Sequence, residues 1–376
     1  MENRYLVDSV VRACRLLAAF HDPQETLRLK ELAERADLSV ATAFRLLRTL
    51  EHCRMVERVD GKSYRCAFHS ASPSRYRLGY ASEPEDPSFV QEWSVSIVEA
   101  CAAERIELLT YDNGGDAETA LGNVDRMIRD RVQLVIEHQR NDRIAPIVAS
   151  KLAEAGIPLI AMGAAHPGAI YFGGNNYLAG QIGGRALGQW AKRRWKGQVE
   201  QLVLLELEAG GPLLESRLSG VEFGLREVLP DFDPARVQRL SGSGLLDASL
   251  DLMRRHLAHT HDRRILVGAA NDPCALGALR ALEEAGWEEG ECAVMGQGGS
   301  AEGRQELRRP GTRLAGTVAF FPEKYGAHIV RIALDLLSGK AVPPAVFVKH
   351  QLLTPANVDH YYPHDRLGIQ QPAQAG

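Results

Sequence analysis

The stretch Leu29-Lys-Glu-Leu-Ala-Glu-Arg-Ala-Asp-Leu-Ser-Val-Ala-Thr-Ala-Phe-Arg-Leu-Leu-Arg-Thr-Leu50 holds two short helical patterns that meet at Asp37-Leu38. Ser39 is placed to cap the second of them. Ahead of this stretch, Leu6, Val10, Ala13, Leu16, Leu17 and Phe20 recur at helical spacing, and His21-Asp-Pro-Gln breaks the pattern. Leu27 to Leu29 reads as a very short strand. After it, Met55-Val-Glu-Arg-Val-Asp60-Gly61-Lys-Ser-Tyr-Arg-Cys66 sets Asp-Gly between two extended segments, a strong hairpin signal. Three helices followed by a hairpin predict a winged helix over residues 1–66.

A winged helix places its third helix in the DNA major groove, where residues near the N-terminus and along one face reach base edges. Here that helix, predicted from Val40 to about Cys53, buries Ala43, Leu46, Leu47 and Leu50 and offers Ser39, Val40, Ala41, Thr42, Arg45 and Arg48. Arg45 is the candidate for a bidentate contact with guanine, and Ala41 or Thr42 for a thymine methyl. Arg48, Ser39 and Thr26 are candidates for phosphate, and Arg58, Lys62 and Arg65 lie on the wing. A net charge of −4 for the whole chain argues against DNA binding, but its distribution does not. Residues 1–66 carry 12 Lys/Arg against 10 Asp/Glu, and the remainder carries 32 against 38. Only the small head has to meet phosphate.

No run approaches the ~18 apolar residues that a membrane span needs. The start, Met1-Glu-Asn-Arg-Tyr-Leu-Val-Asp, lacks a basic segment followed by an apolar one. No secretory signal or membrane partner is therefore expected, and a cytoplasmic location is. The six cysteines show no C-x-x-C spacing and are expected to be reduced, with no metal site or cofactor. His256, His259 and His261 sit at a charged helix end and are read as solvated.

Residues 67–74 are short, polar and proline-containing, and read as a linker. Beyond them, strands alternate with helices, which implies parallel sheets covered on both faces. The expected class is α/β, a two-lobed domain over 75–355. Lobe 1 is expected at about 75–173 plus 322–340, and lobe 2 at about 176–320 plus 343–355. Residues 356–376 read as a tail, disordered after Tyr362.

Ser9-Val-Val-Arg-Ala-Cys-Arg-Leu-Leu17, Leu29-Lys-Glu-Leu-Ala33, Ser39 to Leu50 and the closing Tyr64-Arg65 resemble the N-terminal domain of IclR-type bacterial regulators. Asp37 stands where many such turns carry glycine, and Asp tolerates left-handed backbone better than most residues. The remainder resembles the type I periplasmic sugar-binding fold, also the effector domain of LacI-type repressors. That likeness rests on Asp86-Pro-Ser-Phe89, Asp112-Asn-Gly-Gly-Asp116, Gly173-Gly-Asn-Asn-Tyr-Leu-Ala-Gly180, Arg217-Leu-Ser-Gly220, Ala270-Asn-Asp-Pro-Cys-Ala-Leu-Gly277 and Gly316-Thr-Val-Ala-Phe-Phe-Pro322.

The resemblance implies an interlobe cleft in which Asp86, Phe89, Arg217 and Asn271 contact a sugar. Gln139 and Asn176 are candidate amides, and Phe320 or Trp93 candidate stacking faces. Three positions depart from the family pattern. Gly163-Ala164 replaces a charged pair, Gln297 stands where aspartate is common, and Phe320 stands where several sugar binders place an amide. The pocket is therefore expected to be less charged and more apolar. Asn271 has a second reading as the cap of the helix starting at Pro273, and Arg217 one as a surface partner of Glu215 or Glu222.

Together the two resemblances imply a ligand-responsive transcriptional regulator, not an enzyme, working as a homodimer on double-stranded operator DNA with a sugar or similar polar effector. The alternatives are a transport-type binding protein and, with no nucleophile elbow or phosphate loop to support it, a sugar-active enzyme.

Overall fold

The computed structural model describes residues 7–21, 25–53, 55–67, 76–83, 87–139, 141–207 and 211–366. The chain forms two units, residues 1–75 and 76–376.

The first unit runs α1 (Asp8–Ala18), β1 (Thr26–Arg28), α2 (Leu29–Arg35), α3 (Val40–His52), β2 (Val56–Val59) and β3 (Ser63–Cys66). The strands form one antiparallel sheet in the order β1-β3-β2. Leu16, Leu32, Ala33, Ala43, Leu47, Leu50, Val56 and Tyr64 pack into its core, with Leu17 and Leu46 partly buried. Asp37 takes the left-handed conformation at φ 54°. Beside it the Leu38 amide donates to the Ala33 carbonyl at 2.9 Å, closing the end of α2. Asp60 and Gly61 are both left-handed, at φ 53° and 74°, in the three-residue connection between Val59 and Ser63. Asp60 also accepts from the amides of Lys62 and Ser63.

The second unit starts with β4 (Arg77–Ser82), α4 (Pro87–Ala103), β5 (Glu107–Asp112), α5 (Ala117–Arg129), β6 (Leu134–Gln139), α6 (Ala145–Glu154), β7 (Leu159–Gly163) and β8 (Ile170–Gly174). It continues with α7 (Asn176–Trp195), β9 (Gln201–Leu207), α8 (Gly211–Val228), β10 (Val237–Gly242), α9 (Leu246–His259), β11 (Ile265–Ala269), α10 (Asp272–Glu284), β12 (Cys292–Gly298), α11 (Ala301–Leu307) and β13 (Leu314–Ala319). It closes with α12 (Tyr325–Leu337), β14 (Ala345–Val348), β15 (Gln351–Leu353) and α13 (Val358–Tyr361). Lobe 1 is a parallel sheet in the order β14-β8-β7-β6-β4-β5. Lobe 2 has the order β10-β9-β11-β12-β13-β15, with only β15 antiparallel. Such sheets are covered on both faces, which explains why every residue of β6, β11 and β12 is buried.

Two expectations change. Residues 343–348 belong to lobe 1, because β14 pairs with β8. The chain therefore crosses between the lobes a third time at Lys349-His350, just before β15, rather than near residue 341. Residues 356–366 are also not a loose tail. Val358 and Tyr362 are buried, and Asp365 pairs with Arg304 and Arg308. The rest of the tail, and most of the 67–74 linker, lie outside the described residues.

In lobe 2, α7 and α8 pack backbone to backbone. A Cβ on Gly180 would overlap the Arg217 carbonyl oxygen, and one on Gly184 that of Val221. This close approach sets Arg217 and Asn176 beside each other at the lobe boundary.

Candidate functional site

In the head, Ser39 caps α3 by accepting from the Thr42 amide at 3.3 Å, and its hydroxyl lies 2.9 Å from that of Thr42. Its oxygen is thus committed to the helix start. Val40, Ala41, Arg45 and Arg48 are exposed along one face. Arg45 makes no ion pair among the described residues. Arg48 and Arg58 both lie near Glu51, at 3.3 and 3.9 Å. Arg58 also donates to the Tyr64 hydroxyl at 2.8 Å and lies over its ring. Arg58 is therefore held against the sheet rather than extended from the wing, and Arg65 pairs with Glu57. Lys62 at the hairpin and Thr26 on β1 are exposed. The sequence reading missed Phe44, which leaves 44% of its surface open on the same face as Val40 at 46%. The signal was available, because Phe44 lies off the Ala43, Leu47, Leu50 row that the helical spacing buries.

In the second unit a cavity of about 120 Å³ lies where the lobes meet. Lobe 1 supplies an aromatic and apolar wall from Phe89, Trp93, Met162, Tyr171 and Phe172, with His138. Lobe 2 supplies polar groups: Asn176, Arg217, Asn271, Asp272 and Gln297. Phe320 and Tyr325, from the second crossing between the lobes, complete it.

Arg217 is held as a rigid fork. Its Nε donates to Asn176 at 2.7 Å, one terminal nitrogen donates to the Ala270 carbonyl at 2.8 Å, and its guanidinium lies 4.7 Å over the Phe320 ring. The surface pairing with Glu215 or Glu222 does not form, and Glu222 lies instead beside Arg239. Phe320 is itself edge-on to Phe89 and His350. His350 accepts the Asn175 amide at 3.0 Å, so the three crossings between the lobes meet in one cluster. Burial, with the Arg217 charge adding to it, pushes the His350 imidazole down to about 4, which keeps it neutral as that acceptor.

Gln297 is 1% exposed, and neither amide atom has a hydrogen-bond partner among the described residues. A buried, unsatisfied amide is unfavourable by about 1–3 kcal/mol, which a ligand with matching donor and acceptor would relieve. Asp272 is fully enclosed, accepting from the Thr317 hydroxyl at 2.5 Å and the Ser300 amide at 2.6 Å. Burial raises its carboxyl despite these bonds.

Asn271 plays the capping role. It accepts from the Cys274 amide and donates to the Gly244 carbonyl, both at 2.9 Å, so it lines the cavity with a committed amide. Gln139 does not line the cavity. Successive strand residues face opposite ways, and His138 is the one directed inward, 4.6 Å from the Trp93 ring. Gln139 instead accepts from the Asn141 amide at 2.9 Å. Asp86 lies outside the described residues. Met162, Tyr171 and Tyr325 were missed, although Met162 sits near the carboxyl end of β7, where such folds bind ligands.

Among the described residues no cluster of three or more His, Cys, Asp or Glu is arranged to hold a metal ion, and no helix is long and apolar enough to cross a membrane.

The chain matches the IclR helix-turn-helix domain over residues 9–60 and the periplasmic binding protein domain over residues 79–341. It is 28% identical over 244 residues to the ribose import binding protein of Escherichia coli (strain K12), covering 62% of this chain and 76% of that one. A periplasmic solute binding protein from Actinobacillus succinogenes 130z with bound D-allose superposes at a TM-score of 0.67 and 19% identity, over 76% of this chain and 100% of that one. A solute binding protein from Bacillus halodurans C-125 with bound myo-inositol does so at 0.65 and 21%, over 77% and 98%. These two likenesses concern the fold. The matched span of 79–341 takes in most of both lobes and all the described residues that line the interlobe cavity, and on it the chain belongs to the periplasmic binding protein domain family, with an IclR helix-turn-helix domain ahead of it.

Proposed function

We propose that the chain is a ligand-responsive transcriptional regulator whose effector is a single polyhydroxylated ring, a monosaccharide or cyclic polyol. The observation that carries this reading is the unpartnered Gln297 amide, which lines the same cavity as the Arg217 fork and the Phe89 and Phe320 rings. Sugars present hydroxyls at their edges and apolar C–H faces, which is the pairing this wall arrangement matches. The relatives named for ribose, D-allose and myo-inositol support the same ligand class. The small cavity favours one ring over an oligosaccharide.

The regulator acts in the cytoplasm as a homodimer. Two heads on half-sites spaced by about one helical turn, roughly 34 Å, would respond to a small rotation. In each head Arg45 reads a guanine, the apolar Val40, Ala41 and Phe44 face meets thymine methyls, and Arg48 and Lys62 meet phosphate. Occupancy of the cleft changes operator affinity by a coupling of about 1–3 kcal/mol.

Calorimetric titration with D-ribose, D-allose and myo-inositol tests the ligand half. At least one should bind the wild type saturably and bind Gln297→Leu more weakly. Failure of all three, with other monosaccharides and cyclic polyols also silent, would refute the ligand class.

A further inference from the structure

A second cavity of about 590 Å³ lies behind the first. Phe172, Phe320 and Tyr325 line both, so they form the wall between them. Its chemistry is different. Lys324, Arg331 and Lys349 line it, and no Asp or Glu does. Arg331 donates to Nδ1 of His328 at 2.8 Å, and burial together with the Arg331 charge holds that imidazole low, keeping it an acceptor. Neither Arg331 nor Lys349 has a carboxylate partner among the described residues. Lys324 reaches Glu323 only at 4.0 Å, and its ammonium sits 4.3 Å from the centre of the Phe321 ring.

Large aromatic rings share the same concavity. Phe347 on β14 is 52% exposed, and Tyr361 on α13 is 38% exposed, close to Phe321. Three cations, two of them without a carboxylate partner among the described residues, favour an anionic ligand, and open aromatic faces favour a planar apolar body. A neutral polyol would satisfy neither feature.

We propose that this hinge-side cavity is a second ligand site, one that binds a small aromatic anion. The anionic group meets Arg331, Lys349 and Lys324, and the ring lies among Phe347, Phe321 and Tyr361. Phe347 and Lys349 leave lobe 1 while Tyr361 belongs to lobe 2, so the occupant touches both lobes at their hinge. This site does not depend on the identity of the cleft ligand.

The full chain is titrated calorimetrically with phenyl phosphate, with inorganic phosphate and phenol as controls. Phenyl phosphate should bind saturably and more tightly than either control. The double substitution Arg331→Glu, Lys349→Glu should weaken it on the order of tenfold or more, and Phe347→Ala by less. Gln297→Leu, in the other cavity, should leave it unchanged. Thermal unfolding verifies that each variant is folded, and should the double variant not fold, Lys349→Gln is read in its place. No saturation of the wild type at millimolar phenyl phosphate would overturn the site. So would loss of binding in Gln297→Leu with none in the charge variants, which would put the anion in the cleft. Equal affinity for inorganic phosphate would remove the aromatic ring from the assignment.

Discussion

The head and the two-lobed unit use polar side chains in opposite ways. In the head they stand in solvent on a rigid helix. Arg45 is exposed with no ion pair among the described residues, and the core below it is apolar. In the two-lobed unit they are enclosed: Glu137, Asp272, Gln297 and Thr317 are all nearly inaccessible to water. An exposed group loses little when it is unpaired, so a head residue can be kept for a partner that is not always present. A buried group must be satisfied, so each cleft residue is tied to the stability of its lobe. Substitutions in the head should therefore change DNA contact alone, whereas substitutions in the lobes should change stability, ligand binding or both.

The largest effect expected is on stability. Glu137 accepts from Asn113 at 3.0 Å, and burial pushes its carboxyl up to about 8, so it is protonated in the fold at neutral pH. Its folded value lies above its unfolded one. Its contribution is therefore fully present below the unfolded value of 4.5 and is lost as pH rises through 8. Across that window the two-lobed unit should lose on the order of 5 kcal/mol, read as a falling unfolding midpoint. Glu137→Gln should flatten the dependence, and an unchanged slope would show that the carboxyl is not enclosed as described. Arg217→Ala should come next. It strands the Asn176 and Ala270 oxygens and removes the fork, lowering ligand affinity by about 3 kcal/mol, roughly 150-fold. DNA affinity without ligand should not move. Arg45→Ala should lower operator affinity by about 1–3 kcal/mol with no change in thermal stability. A lowered unfolding midpoint in Arg45→Ala would break the contrast between the two regions. Arg48→Ala should have the smallest effect, below about 1 kcal/mol, because Glu51 already shares its charge. The salt dependence of binding should show it best.

This contrast also sets what the sequence makes legible. The head is short, and its turn at Asp37, its cap at Ser39 and its Asp60-Gly61 hairpin are local signals, so its elements can be read directly. The alternation of the second unit predicts parallel sheets, and the central strands follow it closely. What fails is whatever a one-residue choice or a distant pairing decides. Gln139 and His138 are neighbours on one strand, and the pleat alone determines which faces the cavity. The short edge strands β14 and β15 have too few residues to show a period, and β14 is assigned to lobe 1 only by its pairing with β8. Asn271 carries its capping signal, Asn ahead of Pro273, and the structure shows that cap at a residue that also lines the cavity. Met162, Tyr171 and Tyr325 come from β7, β8 and α12, and only the strand order and the packing of α12 bring them to one wall.

Coupling between an occupied cleft and the DNA-facing helix can be read in a single titration. A DNA fragment selected by the purified protein is titrated with and without a saturating sugar that calorimetry shows to bind. Operator affinity should shift about 5- to 150-fold in the wild type and not at all in Arg217→Ala. Identical affinity with the cleft filled and empty would contradict that coupling.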